Sequence, residues 1–308
     1  MNRENLSRMV QDRIANGKRL MSQPDLAAIG AGLVRQLEQG RTSNHLRLSQ
    51  SGACTRRLVY QAKHYERSGH GIDAASIMNF AMGDTTEVML VIALAEVLRK
   101  NKMGRLLNVL NNQIEVNLEL EIDEQRTAHI PGHPDGIIEL IDDNGEPYRS
   151  LLEIKSMSDY GYKKFWKEGL PKYDMYYSQI QAYMHCLGLK QAYVLAYGKN
   201  TGSKDALIRE GDTEIRQMPA IHGIWVDYDP DAVWQIKERF LTAILAGHPD
   251  DVPRPYQPDT AKKTAGRLRF PCDWCPYWRH CWPNAKERAV ETGWFSKYQK
   301  IHVYVEGE

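Results

Sequence analysis

Asn144-Gly145 lies between two apolar runs, Gly136-Ile137-Ile138-Glu139-Leu140-Ile141 and Leu151-Leu152-Glu153-Ile154-Lys155. Asn-Gly between apolar runs is the strongest short-range hairpin signal, because both residues tolerate the positive φ of a tight turn. A turn centred between the two sets Asp135 level with Ile154, between Glu153 and Lys155. Side chains alternate along a strand, so Glu153 and Lys155 leave by the same face. Two carboxylates and one ammonium therefore converge at one end of a hairpin.

These residue types suit phosphodiester hydrolysis. A hard divalent cation neutralises phosphate charge and lowers the pKa of an attacking water. Mg2+ and Mn2+ take oxygen ligands, which makes Asp135 and Glu153 candidate ligands. Lys155 is placed to hold the water and offset phosphate charge. Glu153-Ile154-Lys155 is the only Asp/Glu-x-Lys triplet in the chain, and it follows Pro134-Asp135 by one hairpin length. The competing account is an edge hairpin with a surface salt bridge. Pro-Asp alone is cheap, as Pro24-Asp25, Pro249-Asp250 and Pro258-Asp259 attest, but none of these precedes an apolar strand carrying Glu-x-Lys.

The flanking pattern predicts an α/β chain. Leu6, Met9, Arg13/Ile14 and Leu20/Met21 form a rough amphipathic stripe broken at Gly17, and a second helix runs Leu26 to Gln39 after Pro24-Asp25. Residues 46 to 67 read as a turn and a helix, capped by Ser49 or Ser51, with Cys54 beside Arg56 and Arg57 near its start. A long helix spans about Ala74 to Lys100, placing Glu87, Val91, Leu94 and Leu98 on one face. Gly83, one turn before Glu87, leaves room for another backbone or a substrate. Residues 112 to 120 alternate as a half-buried strand leading into the hairpin, so that three consecutive strands carry Asp135 and Glu153. Lys163, Lys164, Lys167 and Lys172, interleaved with Tyr160, Tyr162, Phe165, Trp166 and Tyr173, suit single-stranded DNA or else a solvated helix face. Asp174 to Leu187 is a helix ended by Gly188, with Gln179 and Tyr183 one turn apart. Strands at Gln191–Tyr197 and Ile221–Tyr228 flank a polar loop from Gly198 to about Gly211, and a helix follows Asp229-Pro230.

Five cysteines in an expected intracellular protein point to a metal or cluster site before disulfides. Cys272, Cys275 and Cys281 are spaced C-x2-C-x5-C, and a fourth thiol to close the set must be Cys54 or Cys186. Lys262, Lys263, Arg267, Arg269 and Arg279, with Arg56 and Arg57, would form a basic DNA entry surface.

Taken in order, these motifs resemble the PD-(D/E)XK nuclease superfamily, in particular its RecB-like iron-sulfur exonuclease branch, which includes CRISPR-associated adaptation nucleases and AddB helicase-nuclease subunits. The resemblance covers about residues 46 to 285. It implies a restriction-endonuclease-like core, a central mixed sheet flanked by helices. The expected domain runs over 46–308 and includes the cysteine cluster, preceded by a helical extension over 1–45; residues 1–45 and 286–308 lie outside the resemblance. Gly83-x-x-x-Glu87 matches the acidic version of the family's metal-completing position, where many adaptation nucleases carry histidine. Glu87, Asp135, Glu153 and the carbonyl of Ile154 would hold Mg2+ or Mn2+, Lys155 would position the water, and Gln179 and Tyr183 would match the Gln-x-x-x-Tyr motif that orients DNA. The resemblance makes Cys54 the fourth ligand of a 4Fe-4S cluster, with a structural Zn2+ site as the rival.

The resulting expectation is a cytoplasmic, metal-dependent DNA exonuclease acting on single strands or duplex ends in recombination, repair or replication. A non-catalytic DNA-binding subunit and a structure-specific endonuclease are the alternatives. A net charge of +1 gives no global attraction to DNA, so binding must come from local patches. No apolar run is long enough to span a bilayer and no signal-peptide segment is present. No G-x-x-x-x-G-K-[ST] phosphate loop is present either, so any unwinding falls to a helicase or recombination partner.

Overall fold

The computed structural model describes residues 5–16, 45–68, 74–107, 114–171, 174–199, 207–210, 214–261, 265–268, 270–291 and 298–304. The expected Leu26–Gln39 helix lies outside these residues, as do Lys172, Tyr173, Lys262, Lys263 and Arg269. The helices are α1 (Leu6–Asn16), α2 (Thr55–Ala62), α3 (Ala74–Lys100), α4 (Asp159–Glu168), α5 (Met175–Leu187), α6 (Pro230–Leu245) and the single turn α7 (Trp278–Cys281). The strands are β1 (Gly104–Leu107), β2 (Val116–Asp123), β3 (Arg126–Gly132), β4 (Gly136–Ile141), β5 (Pro147–Met157), β6 (Gln191–Gly198), β7 (Leu207–Glu210), β8 (Glu214–Gln217), β9 (Ile221–Asp227), β10 (Ala285–Glu291) and β11 (Tyr298–Tyr304).

The chain divides into two compact units. The first comprises Met1–Ser43, Arg47–Gly52 and Ala74–Lys237, the second Asn44–Leu46, Ala53–Asp73 and Glu238–Glu308. The first is a mixed α/β unit whose five-stranded sheet runs β1-β4-β5-β6-β9, with β5 and β6 parallel and the other pairs antiparallel. The parallel pair requires a crossover, which α4 and α5 supply.

Alternation on the central strands sends Ile138, Leu140, Leu152, Ile154, Tyr193 and Leu195 to one face. There they meet Leu90, Val91, Leu94 and Leu98 of α3, and Leu6 and Val10 of α1. On β1, β4 and β5, Glu139 accepts from both Arg105 and Arg149, its direct cross-strand neighbours. β5 is buried from Ser150 to Ile154, as a strand with neighbours on both sides and helices over it must be.

The hairpin register differs from the sequence expectation by one residue. Gly136 pairs with Leu152 and Ile137 with Leu151, a register that, carried one residue beyond β4, brings Asp135 opposite Glu153 instead of Ile154. The loop is not a two-residue turn. Asp142 and Glu146 close it, Asp142 Oδ1 accepts the N–H groups of Asn144 and Glu146, and Gly145 takes φ +87°. That is the three-residue solution, with glycine in the left-handed position.

Three further expectations change. β2 is half-buried as its alternation predicts, but it pairs with β3 in a separate two-stranded sheet rather than leading into the central one. The polar stretch after Gly198 contains the β7–β8 hairpin. Neither Ser49 nor Ser51 caps α2; the cap is Cys54, whose sulfur accepts the N–H of Arg57, while Ser51 Oγ is spent on the Leu48 carbonyl.

The second unit contains α2, the cysteine-bearing stretch, α7 and the antiparallel β10–β11 hairpin. Leu268, Trp278, Trp282 and Ala285 form its small core, with Cys272, Cys275, Cys281 and Tyr304 packed against them.

Candidate functional site

β4 stops pairing at Leu152 while β5 runs on to Met157, and beyond Leu152 a side chain takes over from the β4 backbone. Asp135 Oδ2 accepts the backbone N–H of Ile154 at 2.6 Å. In a ladder a residue's N–H and C=O face the same neighbour, so the Ile154 carbonyl opens toward Asp135 as well. Lys155 Nζ donates to Glu153 Oε1, as same-face positions two apart allow.

Glu153 is 1% exposed, and its second oxygen, Oε2, is buried with no hydrogen-bond partner among the described residues. Such an orphaned carboxylate oxygen costs about 1–3 kcal/mol or more unless something pairs with it. Glu87, on the buried-face stripe of α3 ahead of Val91, Leu94 and Leu98, feels both Asp135 and Glu153.

The electrostatics follow from burial and crowding. Burial, then repulsion from Asp135 and Glu153, raises the Glu87 carboxyl well above the ordinary glutamate value. Burial and Asp135 push Glu153 up to about 7, against the pull of Lys155. Burial also raises Asp135, countered by Lys155 and the Ile154 N–H. For Lys155, burial works against the charge, but Glu153 and Asp135 outweigh it and hold the proton on above the usual lysine range. Three carboxylates thus face one ammonium, an excess of negative charge that a divalent cation would relieve.

α5 brings Gln179 and Tyr183 to this end of the sheet. Asp174 caps the helix, Gly188 ends it in a left-handed conformation, and Gln179 Nε2 donates to the Tyr183 hydroxyl at 3.1 Å. Tyr183 is buried, and burial with the nearby Glu153 charge raises its phenol. It can pack there because Gly132 has no side chain: an added Cβ would lie 2.6 Å from Tyr183 Cε1. Gly83 has no such role, since an added Cβ would meet nothing within 4 Å among the described residues.

Sequence reasoning missed Tyr176, whose ring lies 5.2 Å from Lys155 Nζ. Its spacing of three and seven residues from Gln179 and Tyr183 puts it on the same helical face, which was a readable signal.

Lys163, Lys164 and Lys167 are exposed on α4, with Lys163 paired to Asp159 at 2.9 Å. Of the aromatics among them, Tyr160 is exposed at 82%, but Tyr162 and Phe165 are buried and therefore serve packing, not stacking. Arg56 does not join a basic surface. It is 4% exposed, with its guanidinium donating to Asp250 and to the Val252 carbonyl. Arg57 also turns inward.

In the second unit Cys54, Cys272, Cys275 and Cys281 line one pocket, together with Arg57, Tyr60, Arg254, Tyr256, Trp278 and Trp282. Burial, then the neighbouring cysteines, pushes the Cys272 thiol up to about 12; burial pushes Cys275 to about 11 and raises Cys54. Cys186 is half-buried on α5 in the first unit. Among the described residues no group of three or more His, Cys, Asp or Glu side chains is arranged so that it could hold a metal ion. No described helix is long and apolar enough to cross a membrane.

No protein-family model and no curated protein matches this chain. Among solved structures it is similar to a protein designated SSO0001, at 14% identity and TM-score 0.42, over 83% of this chain and 95% of that one. It is also similar to an alkaline exonuclease from Laribacter hongkongensis, at 16% identity and TM-score 0.39, over 66% and 86%. A phage-related exonuclease from Haemophilus somnus 129PT matches at 16% identity and TM-score 0.33, over 65% and 91%.

Proposed function

We propose that the chain is a metal-dependent deoxyribonuclease that hydrolyses phosphodiester bonds from DNA ends. The observation that carries this reading is the buried Glu153, whose Oε2 has no hydrogen-bond partner among the described residues while Asp135, Glu87 and Lys155 crowd beside it. Asp135, Glu153, Glu87 and the Ile154 carbonyl would hold Mg2+ or Mn2+, as hard oxygen donors suit either ion. When bound, the ion supplies charge neutralisation and water activation. Lys155 holds a proton-bearing nitrogen at the mouth of the carboxylate cluster, where it orients a water or a phosphate oxygen. Gln179 and Tyr183 form a hydrogen-bonded pair on the flanking helix that steers the strand, and exposed Lys164 and Lys167 meet its phosphates. The action on ends, single-stranded or duplex, rests on the resemblance to iron-sulfur exonucleases.

The four-cysteine pocket serves, in this reading, as a structural site for a thiolate-held group, a 4Fe-4S cluster with Zn2+ as its rival. Soft sulfur donors suit either, and the raised thiols mark a set that is costly to ionise together without a cation.

Linear and covalently closed circular DNA test the proposal. Degradation of end-labelled linear DNA that needs Mg2+ or Mn2+ and stops in EDTA supports it, provided the closed circle survives. Cutting of the circle would make the protein an endonuclease. DNA binding without cleavage by a metal-loaded protein would make it a non-catalytic subunit.

A further inference from the structure

Arg57 is bound to the cysteine pocket twice over. Its backbone N–H, at the third position of α2, donates to Cys54 Sγ at 3.4 Å, so the sulfur is itself the helix cap. Its side chain lines the pocket that Cys54, Cys272, Cys275 and Cys281 share. The guanidinium Nε is buried and has no hydrogen-bond partner among the described residues, an orphan that a basic surface residue would not show.

The other nearby arginines relate to the pocket differently, and of them Arg254 also lines it. Arg56 donates to Asp250 and the Val252 carbonyl. Arg254 donates to the Cys281 carbonyl at 2.9 Å, and its guanidinium lies 4.7 Å from the Trp282 ring. Arg239 interacts with Cys54 from outside the pocket lining. The charge of Arg57, by contrast, lowers both Cys54 and Cys275 against the burial that raises them.

Four thiolates around an iron-sulfur cluster or a zinc ion leave the assembly negative, and charge and donors beside the sulfurs set its stability. We propose that Arg57 is the counter-charge built into the four-cysteine pocket and fixes how firmly the pocket holds its metal group. This rests on the reading of those cysteines as a metal site.

The test uses the full chain purified anaerobically. Iron, acid-labile sulfide and zinc in the wild type identify the resident group, and its release into EDTA is followed over time. Arg57→Gln is expected to release it about tenfold faster or more, the scale of losing an outer-shell partner. Arg57→Lys, which keeps the charge, stays near the wild-type rate. Neutral variants that fail to accumulate while Arg57→Lys is made and loaded support the same role for Arg57. Arg57→Gln releasing as slowly as the wild type, or Arg57→Lys failing alongside the neutral variants, overturns that role. A wild type holding none of iron, sulfide or zinc overturns the reading of the pocket instead.

Discussion

The carboxylate site and the cysteine pocket both gather groups that repel one another, but they are organised differently. In the first unit the register of β4 and β5 sets Asp135 opposite Glu153, and Lys155 lies two residues along the same strand. The counter-charge comes with the strand, and the sheet fixes the geometry. In the second unit the thiols come from the cap of a short helix and from a turn-rich stretch more than two hundred residues away. Only a small core of Leu268, Trp278, Trp282 and Ala285 supports them. A sheet-borne site is expected to survive loss of its metal, whereas a loop-borne site depends on it.

The largest expected effect follows from that contrast. Chelation, or Cys272→Ser, removes the group that ties the second unit together. The binding free energy of such structural sites is of order 10 kcal/mol. Hydrogen exchange should then show amides of α2 and the β10–β11 hairpin losing protection while β5 and β6 keep theirs. Equal loss in both units would break the distinction.

Next in size is Lys155→Met, which leaves Asp135 and Glu153 buried without their cation. It should cost about 3–5 kcal/mol in urea unfolding in EDTA, with part recovered in saturating Mg2+. An unchanged midpoint would mean that the ammonium is not the internal counter-charge.

A pH series sharpens the same point. The Glu153 carboxyl is raised from 4.5 to about 7 in the folded chain, so the folded state holds a proton that the unfolded state has released between those values. In EDTA, stability should therefore fall as pH rises through that window, by about 1 kcal/mol per pH unit at its steepest, and then level off. Mg2+ should flatten the slope and Glu153→Gln should reduce it, leaving the part that the raised Glu87 and Asp135 carboxyls contribute. The smallest effect is Gly145→Ala. An added Cβ there meets nothing within 4 Å, so only the positive φ resists it and the cost is about 1 kcal/mol.

Much of the carboxylate site was legible because periodicity and strand alternation carry it. Glu153 and Lys155 share a face by parity, and Gln179 and Tyr183 by helical spacing. The register was not, because Asn-Gly fits a two-residue turn and a three-residue loop alike, and Asp142 decides between them by accepting the N–H groups of Asn144 and Glu146. β3 went unseen since Arg126–Gly132 carries a proline and one strongly apolar residue, Ile130, buried by its partner β2 rather than marked by its own pattern. The fates of Arg56 and Arg57 were equally hidden. Neighbours on a helix point about 100° apart, which sends one to Asp250 and the other to the cysteines.

The central claim is that Asp135, just before β4, and Glu153 on β5 hold the ion that drives phosphodiester hydrolysis. The most direct measurement is the Mn2+-dependent rate of nucleotide release from 5'- and 3'-labelled DNA by wild type and Asp135→Asn, prepared in parallel. Release by the wild type that vanishes in EDTA, with the variant folded but slower by about a hundredfold or more, is the predicted result. Equal rates from the two proteins would contradict the account.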